Sequence, residues 1–118
     1  MRHKVKKVKL GTDRDHKNAL MKNLAISVII HEKIKTTGAK AKDIQPFVER
    51  LISIAKTRPE ITAIRQFDSL LNHEDSSKKL IEVLKERYKE KDSGFTRITK
   101  IGNRKGDNAP LVQLELIN

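Results

Sequence analysis

"TRITKIGNRKGDNAPLVQLELI" (Thr96–Ile117) is the stretch that decides the fold. Upstream, most apolar residues recur at helical spacing; here the period drops to two. Thr96–Ile101 and Leu111–Ile117 read as two strands, the second with Val112, Leu114 and Leu116 on one face. "GNRKGDNAP" (Gly102–Pro110) joins them and is too long for a tight hairpin turn. A chain that closes in strands after a run of helices mixes both kinds of element in one domain.

Working back, Leu80, Val83, Leu84 and Tyr88 line one helix, which "KEKDSG" ends. Before it, Ile61, Ile64, Phe67 and Leu71 line a shorter helix, with Thr57 and Glu60 spaced as a capping box around Pro59. The clearest helix places Ile44, Phe47, Val48, Leu51 and Ala55 on a core-facing stripe. Pro46 within it predicts a kink, or a helix that becomes regular only near that residue. "KIKTTG" (Lys33–Gly38) alternates and carries β-branched residues, as a short strand does. The first helix ends near Ile30, with Leu20, Leu24 and Val28 on one stripe and its C-terminal half deeply buried; Thr12 or Asp13 caps its start.

"MRHKVKKVKLG" precedes that helix, with five Lys or Arg among its first ten residues and no acidic partner. As a strand, neither of its faces is apolar enough to bury, so it reads as an extended arm, disordered until something anionic surrounds it. The expected division is a basic arm over residues 1–11 and one globular domain over 12–118.

The chain has 118 residues, a net charge of +11 and no cysteine, which removes disulfides, thiolate zinc sites and cysteine nucleophiles. Ile, Leu, Val and Phe number 33, enough for a modest core. Charge is skewed: residues 1–40 carry eleven basic and three acidic groups, residues 41–75 five and six. That asymmetry suits a polyanion lying against one side of the molecule. The first apolar run, Ala19–Ile30, is broken by Lys22, Asn23 and Ser27 and falls short of the roughly 20 residues that span a bilayer. The arm is therefore read as part of a mature cytosolic protein, without a membrane role.

Catalytic signatures are missing. His31-Glu32 begins like a zinc-protease motif, but Lys35 stands where its second histidine belongs, and His16, His31 and His73 have no metal-ligand spacing. No phosphate loop, serine elbow or dinucleotide fingerprint occurs, so neither catalytic residues nor a cofactor or metal are expected. Base-stacking platforms need aromatics; here are three Phe, one Tyr and no Trp, and Phe47 and Phe67 sit in core stripes. What remains is Arg2, Lys4, Lys6, Lys7 and Lys9 on the arm, lysines at a helix start, and Arg104-Lys105 in a loop whose Gly102 and Gly106 permit close approach to a backbone. That loop reads equally as a solvated hairpin; its Asp107 and Asn108 are expected to serve turn geometry. Thr36 and Thr37 suit a strand pair, a helix cap at Thr37, or hydroxyls on phosphate; Asn23 suits a buried hydrogen bond or an RNA contact. The residues alone reach a basic α/β domain that binds a structured polyanion, with folded RNA the best match.

Resemblance goes further. "MRH", "HKNALMKNLAISVIIHEKIKTTGAKAKDI" (His16–Ile44), "LISIAK" (Leu51–Lys56), "GFTRITKI" (Gly94–Ile101) and "RKGDNAPLVQLEL" (Arg104–Leu116) come in the order and spacing of one family. Across nearly its whole length the chain resembles the bacterial-type ribosomal protein seventeen of the large subunit. The resemblance implies a two-layer α+β fold of order α-β-α-α-α-β-β, a three-stranded mixed sheet covered by helices, with the extended basic arm in front. It also implies a structural, non-enzymatic role on large-subunit ribosomal RNA, beside ribosomal protein thirty-two, on a cytoplasmic bacterial ribosome in preference to an organellar one; the free protein is expected to be a monomer. Carried over by matching position, the RNA-facing residues are Arg2, His3, Lys4, His16, Lys17, Asn23, Lys35, Thr36, Thr37, Lys42, Arg97 and Arg104; charge adds Lys6, Lys7, Lys9 and Lys105. Thr12, Asp13 and Asp15 depart from the family pattern, and a carboxylate at 13 or 15 argues against phosphate contact there. The rival classes are an RNA-modifying or hydrolytic enzyme, which needs convergent titratable groups, and a DNA-bending protein, which needs dimerisation.

Overall fold

Helix α1 (Arg14–His31) buries only its C-terminal half, through Ala25, Val28 and Ile29, and its first turns stand clear of the core. The structure is a computed structural model that describes residues 14–117; the arm and the caps expected at Thr12 or Asp13 lie outside the described residues. Glu32 ends α1 in a left-handed backbone conformation, φ 65°, while its N–H still donates to the Val28 carbonyl (2.8 Å). One residue therefore converts helix to strand β1 (Lys33–Thr37).

Helix α2 (Gly38–Thr57) runs unbroken through Pro46, so its regularity does not wait for the proline. Pro46 is exposed, as is Lys42 one turn earlier, whose carbonyl loses its helical donor and is left to water. The predicted stripe holds at Ile44, Val48, Leu51 and Ala55; Phe47 is only partly buried. The capping box at Thr57 does not form. Thr57 is still helical, and its Oγ1 donates back to the Ser53 carbonyl (2.8 Å), so it cannot take the extended geometry of a cap. Pro59 occupies that position instead, and α3 (Glu60–Leu70) turns Ala63 and Phe67 inward, followed by Leu71, while Ile61 and Ile64 face outward at 67% and 39% exposure.

Residues 74–87 form one further rod: α4 (Glu74–Lys79), a π turn (Leu80–Leu84) and α5 (Lys85–Arg87). In an α-helix four residues overshoot a full turn by about 40°, so side chains at i, i+4 and i+8 drift around the axis. The wider π turn offsets that drift. It keeps Leu80, Leu84 and Tyr88 in the core and leaves Val83, expected inside, 43% exposed.

Gly94, at φ 71°, takes the left-handed turn that brings Phe95 under the core before strand β2 (Thr96–Asn103). Strand β3 (Pro110–Leu116) buries Val112, Leu114 and Leu116 as the alternation predicts. The strand order is β1-β3-β2, with Ile34 opposite Leu114 on one side and Ile98 opposite it on the other. The sheet is antiparallel throughout rather than mixed. β1 and β2 do run the same way, but β3 is inserted between them and removes the parallel pairing a mixed sheet requires.

Helices cover one face of this sheet, giving the two layers. Buried Thr96 fixes β2 on α2: its Oγ1 donates to Glu49 Oε1 (2.9 Å) and accepts from Gln45 Nε2 (2.9 Å). Glu32 accepts from Lys79 (3.0 Å) and Arg87 (2.7 Å), and Lys79 also donates to the Ile30 carbonyl. The Tyr88 hydroxyl donates to the Ile117 carbonyl, and its ring lies 5.1 Å from that of Phe95. Residues 74–88 thereby clamp the end of α1 to the end of the sheet.

Candidate nucleic-acid interface

Where α1 overhangs the core, the stripe that buries Ala25, Val28 and Ile29 continues toward the N-terminus as Arg14, Lys17, Asn18, Met21 and Lys22. These are spaced i, i+3, i+4, i+7 and i+8, one side of a helix. On α2, Lys42, Asp43, Pro46 and Arg50 lie on the side away from its buried stripe, with Phe47 at the margin of that stripe. The two surfaces face each other across a cleft of about 960 Å³, closed by Ser69 and Leu70 at the end of α3. Among the described residues, five cationic side chains line it against one carboxylate, Asp43, whose Oδ2 lies 3.5 Å from Lys17 Nζ. Met21, Phe47 and Leu70 pack against the core and form an apolar floor.

A second basic surface is the open face of the sheet. Register places Lys33, Glu115 and Arg97 in one row and Lys35, Gln113 and Thr99 in the next. Arg97 grips Glu115 Oε1 through both Nε (2.9 Å) and NH2 (2.7 Å), and Gln113 donates to Oε2 (3.3 Å). The Arg97 guanidinium holds the Glu115 carboxyl below its usual value. Arg97 is thus oriented, with its charge partly compensated. Beyond the strands, Arg104 makes a bidentate pair with Asp107 (3.0 and 2.6 Å), which also accepts the Ala109 N–H (3.2 Å). That pairing, more than any other contact, lowers the Asp107 carboxyl to about 2. Asn108 sits at φ 56°, a conformation asparagine tolerates. Both residues serve the turn, as the sequence suggests.

The sixteen residues singled out in the sequence therefore do not form one site. Arg2, His3, Lys4, Lys6, Lys7 and Lys9 lie outside the described residues. Lys17 and Lys42 meet in the cleft. His16 and Asn23 are exposed on the opposite side of α1, so Asn23 is not the buried hydrogen-bonding residue that was one of its two readings. Lys35, Thr37 and Arg97 share the open sheet face; Thr36 pairs with Val112 on the inner one. Thr37 stands at the N-cap of α2, but its side chain makes no capping hydrogen bond. Arg104 and Lys105 occupy the exposed loop. Sequence reading missed Arg14, Lys22 and Arg50. The signal was present on each helix alone: basic residues in phase with the apolar stripe of α1, and an i, i+4, i+8 series at 42, 46 and 50 opposite the stripe of α2. Nothing in the sequence says that these two faces meet.

Among the described residues no group of three His, Asp or Glu side chains is placed to hold a metal ion, and no helix is long and apolar enough to cross a membrane. The sequence model of the family described as ribosomal protein L17 matches residues 20–117. This chain belongs to the ribosomal protein L17 family. Its relatives include the large ribosomal subunit protein bL17 of Maricaulis maris (strain MCS10), 45% identical over all of this chain and 84% of the relative. Those of Rickettsia bellii (strain OSU 85-389) and Ehrlichia ruminantium (strain Gardel) are 42% and 44% identical over all of this chain, covering 82% and 94% of their own lengths. L17 proteins are structural and non-enzymatic, which removes the enzyme reading.

Proposed function

We propose that this protein is a structural constituent of the large ribosomal subunit that neutralises and braces segments of large-subunit ribosomal RNA. The observation that carries the reading is the α1–α2 cleft, where the described residues set five cations against one carboxylate. Phosphate contacts dominate affinity for nucleic acid, and an unbalanced cluster of lysine and arginine is the surface that makes them. The open sheet face adds Lys33, Lys35 and Arg97 as a second basic surface. Two basic surfaces on one folded domain suit a brace that contacts more than one RNA segment. The arm, through Arg2, His3, Lys4, Lys6, Lys7 and Lys9, extends that grip. On this reading the chain works on a bacterial ribosome in the cytoplasm, enters the subunit as a monomer, and has ribosomal protein thirty-two among its neighbours.

Co-sedimentation with the large subunit in a sucrose gradient tests the assignment, and recovery only at the top of the gradient refutes it. Binding to fragments of large-subunit RNA tests the site. Lys42→Gln and Arg50→Gln should each flatten the slope of log affinity against log salt by roughly 0.7–0.9.

A further inference from the structure

The cleft between α1 and α2 is more than a strip of charge. Its rim is Arg14, Lys17, Lys22, Lys42 and Arg50, but its floor is Met21, Phe47 and Leu70. Duplex RNA offers a protein phosphates and 2′-hydroxyls, and an apolar floor gains nothing from either. An unpaired nucleotide offers both chemistries at once: a flat apolar base face for the floor and a flanking phosphate on each side for the rim. The volume of about 960 Å³ lies in the range that encloses a small ligand, so the cleft admits a base with its sugar. Phe47 was assigned to the core by its helical spacing, yet it is only partly buried and lines this cleft. Among the described residues its ring is the one aromatic surface there.

We infer that the cleft seats a single unstacked nucleotide, a bulged or loop base of the RNA, with its base against Phe47 and its phosphates on the Lys42, Arg50 and Lys17 side. The inference rests on the proposed RNA-binding role and specifies what part of the RNA enters. An amphipathic acidic segment of a neighbouring protein would also match an apolar floor and a basic rim. RNA is favoured because the rim is almost purely cationic, whereas a helix-binding groove presents a broad apolar stripe with charges at its margins.

Two RNA hairpins decide it, one fully paired and one carrying 2-aminopurine in a single-nucleotide bulge, titrated with the full chain. The bulged hairpin should bind more tightly by roughly 5- to 160-fold, the range for one base stacked on one aromatic side chain. Phe47→Ala should abolish that preference, and Phe47→Leu, which preserves packing should the alanine variant fold poorly, should reduce it. Neither substitution should alter the salt slope. Lys42→Gln should weaken both hairpins and flatten their salt slopes together. Equal, salt-dependent binding of the two hairpins overturns the seated base while leaving RNA binding standing; absence of salt-dependent binding to either overturns the RNA reading itself. Retention of the bulge preference in Phe47→Leu at full strength also overturns the proposal, as does Phe47-dependent binding of an acidic Glu/Leu helical peptide without any bulge preference.

Discussion

Glu32 concentrates several roles in one residue. It ends α1 with a positive φ, its carbonyl accepts the Leu116 N–H (2.8 Å), and its carboxylate accepts from Lys79 and Arg87. The hydrogen bond from Arg87 is the largest influence on its acidity, and the carboxyl falls from an ordinary 4.5 to about 2. A depressed carboxyl stabilises the fold above its unfolded value, and that contribution is lost as the pH falls toward the folded one. Glu32→Gln should therefore lower Tm at pH 7 by several degrees, on the order of 1–2 kcal/mol once solvent screening of a side chain about one-third exposed is allowed for. The gap between parent and variant should close between about pH 4.5 and pH 2. Thermal melts across that range check it, and a gap that persists unchanged at pH 2 would mean that the ion pair is not the source. The Gln substitution leaves the left-handed backbone in place, so the comparison isolates charge.

At the scale of elements, α3 separates apolar composition from burial. Ile61 and Ile64 have the spacing of a core stripe but face solvent, while Ala63, Phe67 and Leu71 face inward at i, i+4 and i+8. Both phases are legible in "EITAIRQFDSLL" (residues 60–71), and only packing against α2 and α4 selects one. Ile61→Lys should change stability by no more than about 0.5 kcal/mol. Phe67→Ala removes a fully buried ring and should cost about 3–5 kcal/mol, a large part of the stability of a domain this size. Urea denaturation of the two variants distinguishes the phases: a large loss for Ile61→Lys with little for Phe67→Ala would reverse the assignment. In residues 80–84 the backbone itself departs from the α-helix through a π turn, beyond which Tyr88 packs against Phe95.

For the molecule as a whole, charge distribution sets the expected response to salt. Among the described residues, every core side chain lies between Ala25 and Leu116. Deleting residues 1–10 removes five formal positive charges and none of that core. The truncated chain should keep its helical circular dichroism. Each neutralised phosphate contributes roughly 0.7–0.9 to the salt slope. If three to five of the arm's charges contact RNA, the slope should flatten by roughly 2–4, with the loss of affinity greatest at low salt. An unchanged slope in a folded truncation would show that the arm does not grip RNA. Combining the truncation with Lys42→Gln should give additive slope changes, because separate phosphates release separate counterions.

Element type was legible because it rests on local periodicity: Val112, Leu114 and Leu116 announce a strand, and Ile44, Val48 and Leu51 a helix, whatever lies around them. The basic character of the chain and its family were likewise written in the residues. Pairing was not. That β3 enters between β1 and β2, turning an expected mixed sheet antiparallel, depends on contacts between residues about eighty positions apart, such as Ile34 with Leu114. Nor was the phase of α3, the outward turn of Val83, or the failure of Thr57 to cap. Each follows from how neighbouring elements pack, and burial of a side chain is a property of its surroundings. The cleft is the clearest case. Arg14, Lys17 and Lys22 on one helix and Lys42 and Arg50 on another are two ordinary basic faces in sequence; they become one site because the shared core sets α1 beside α2 and leaves its first turns overhanging.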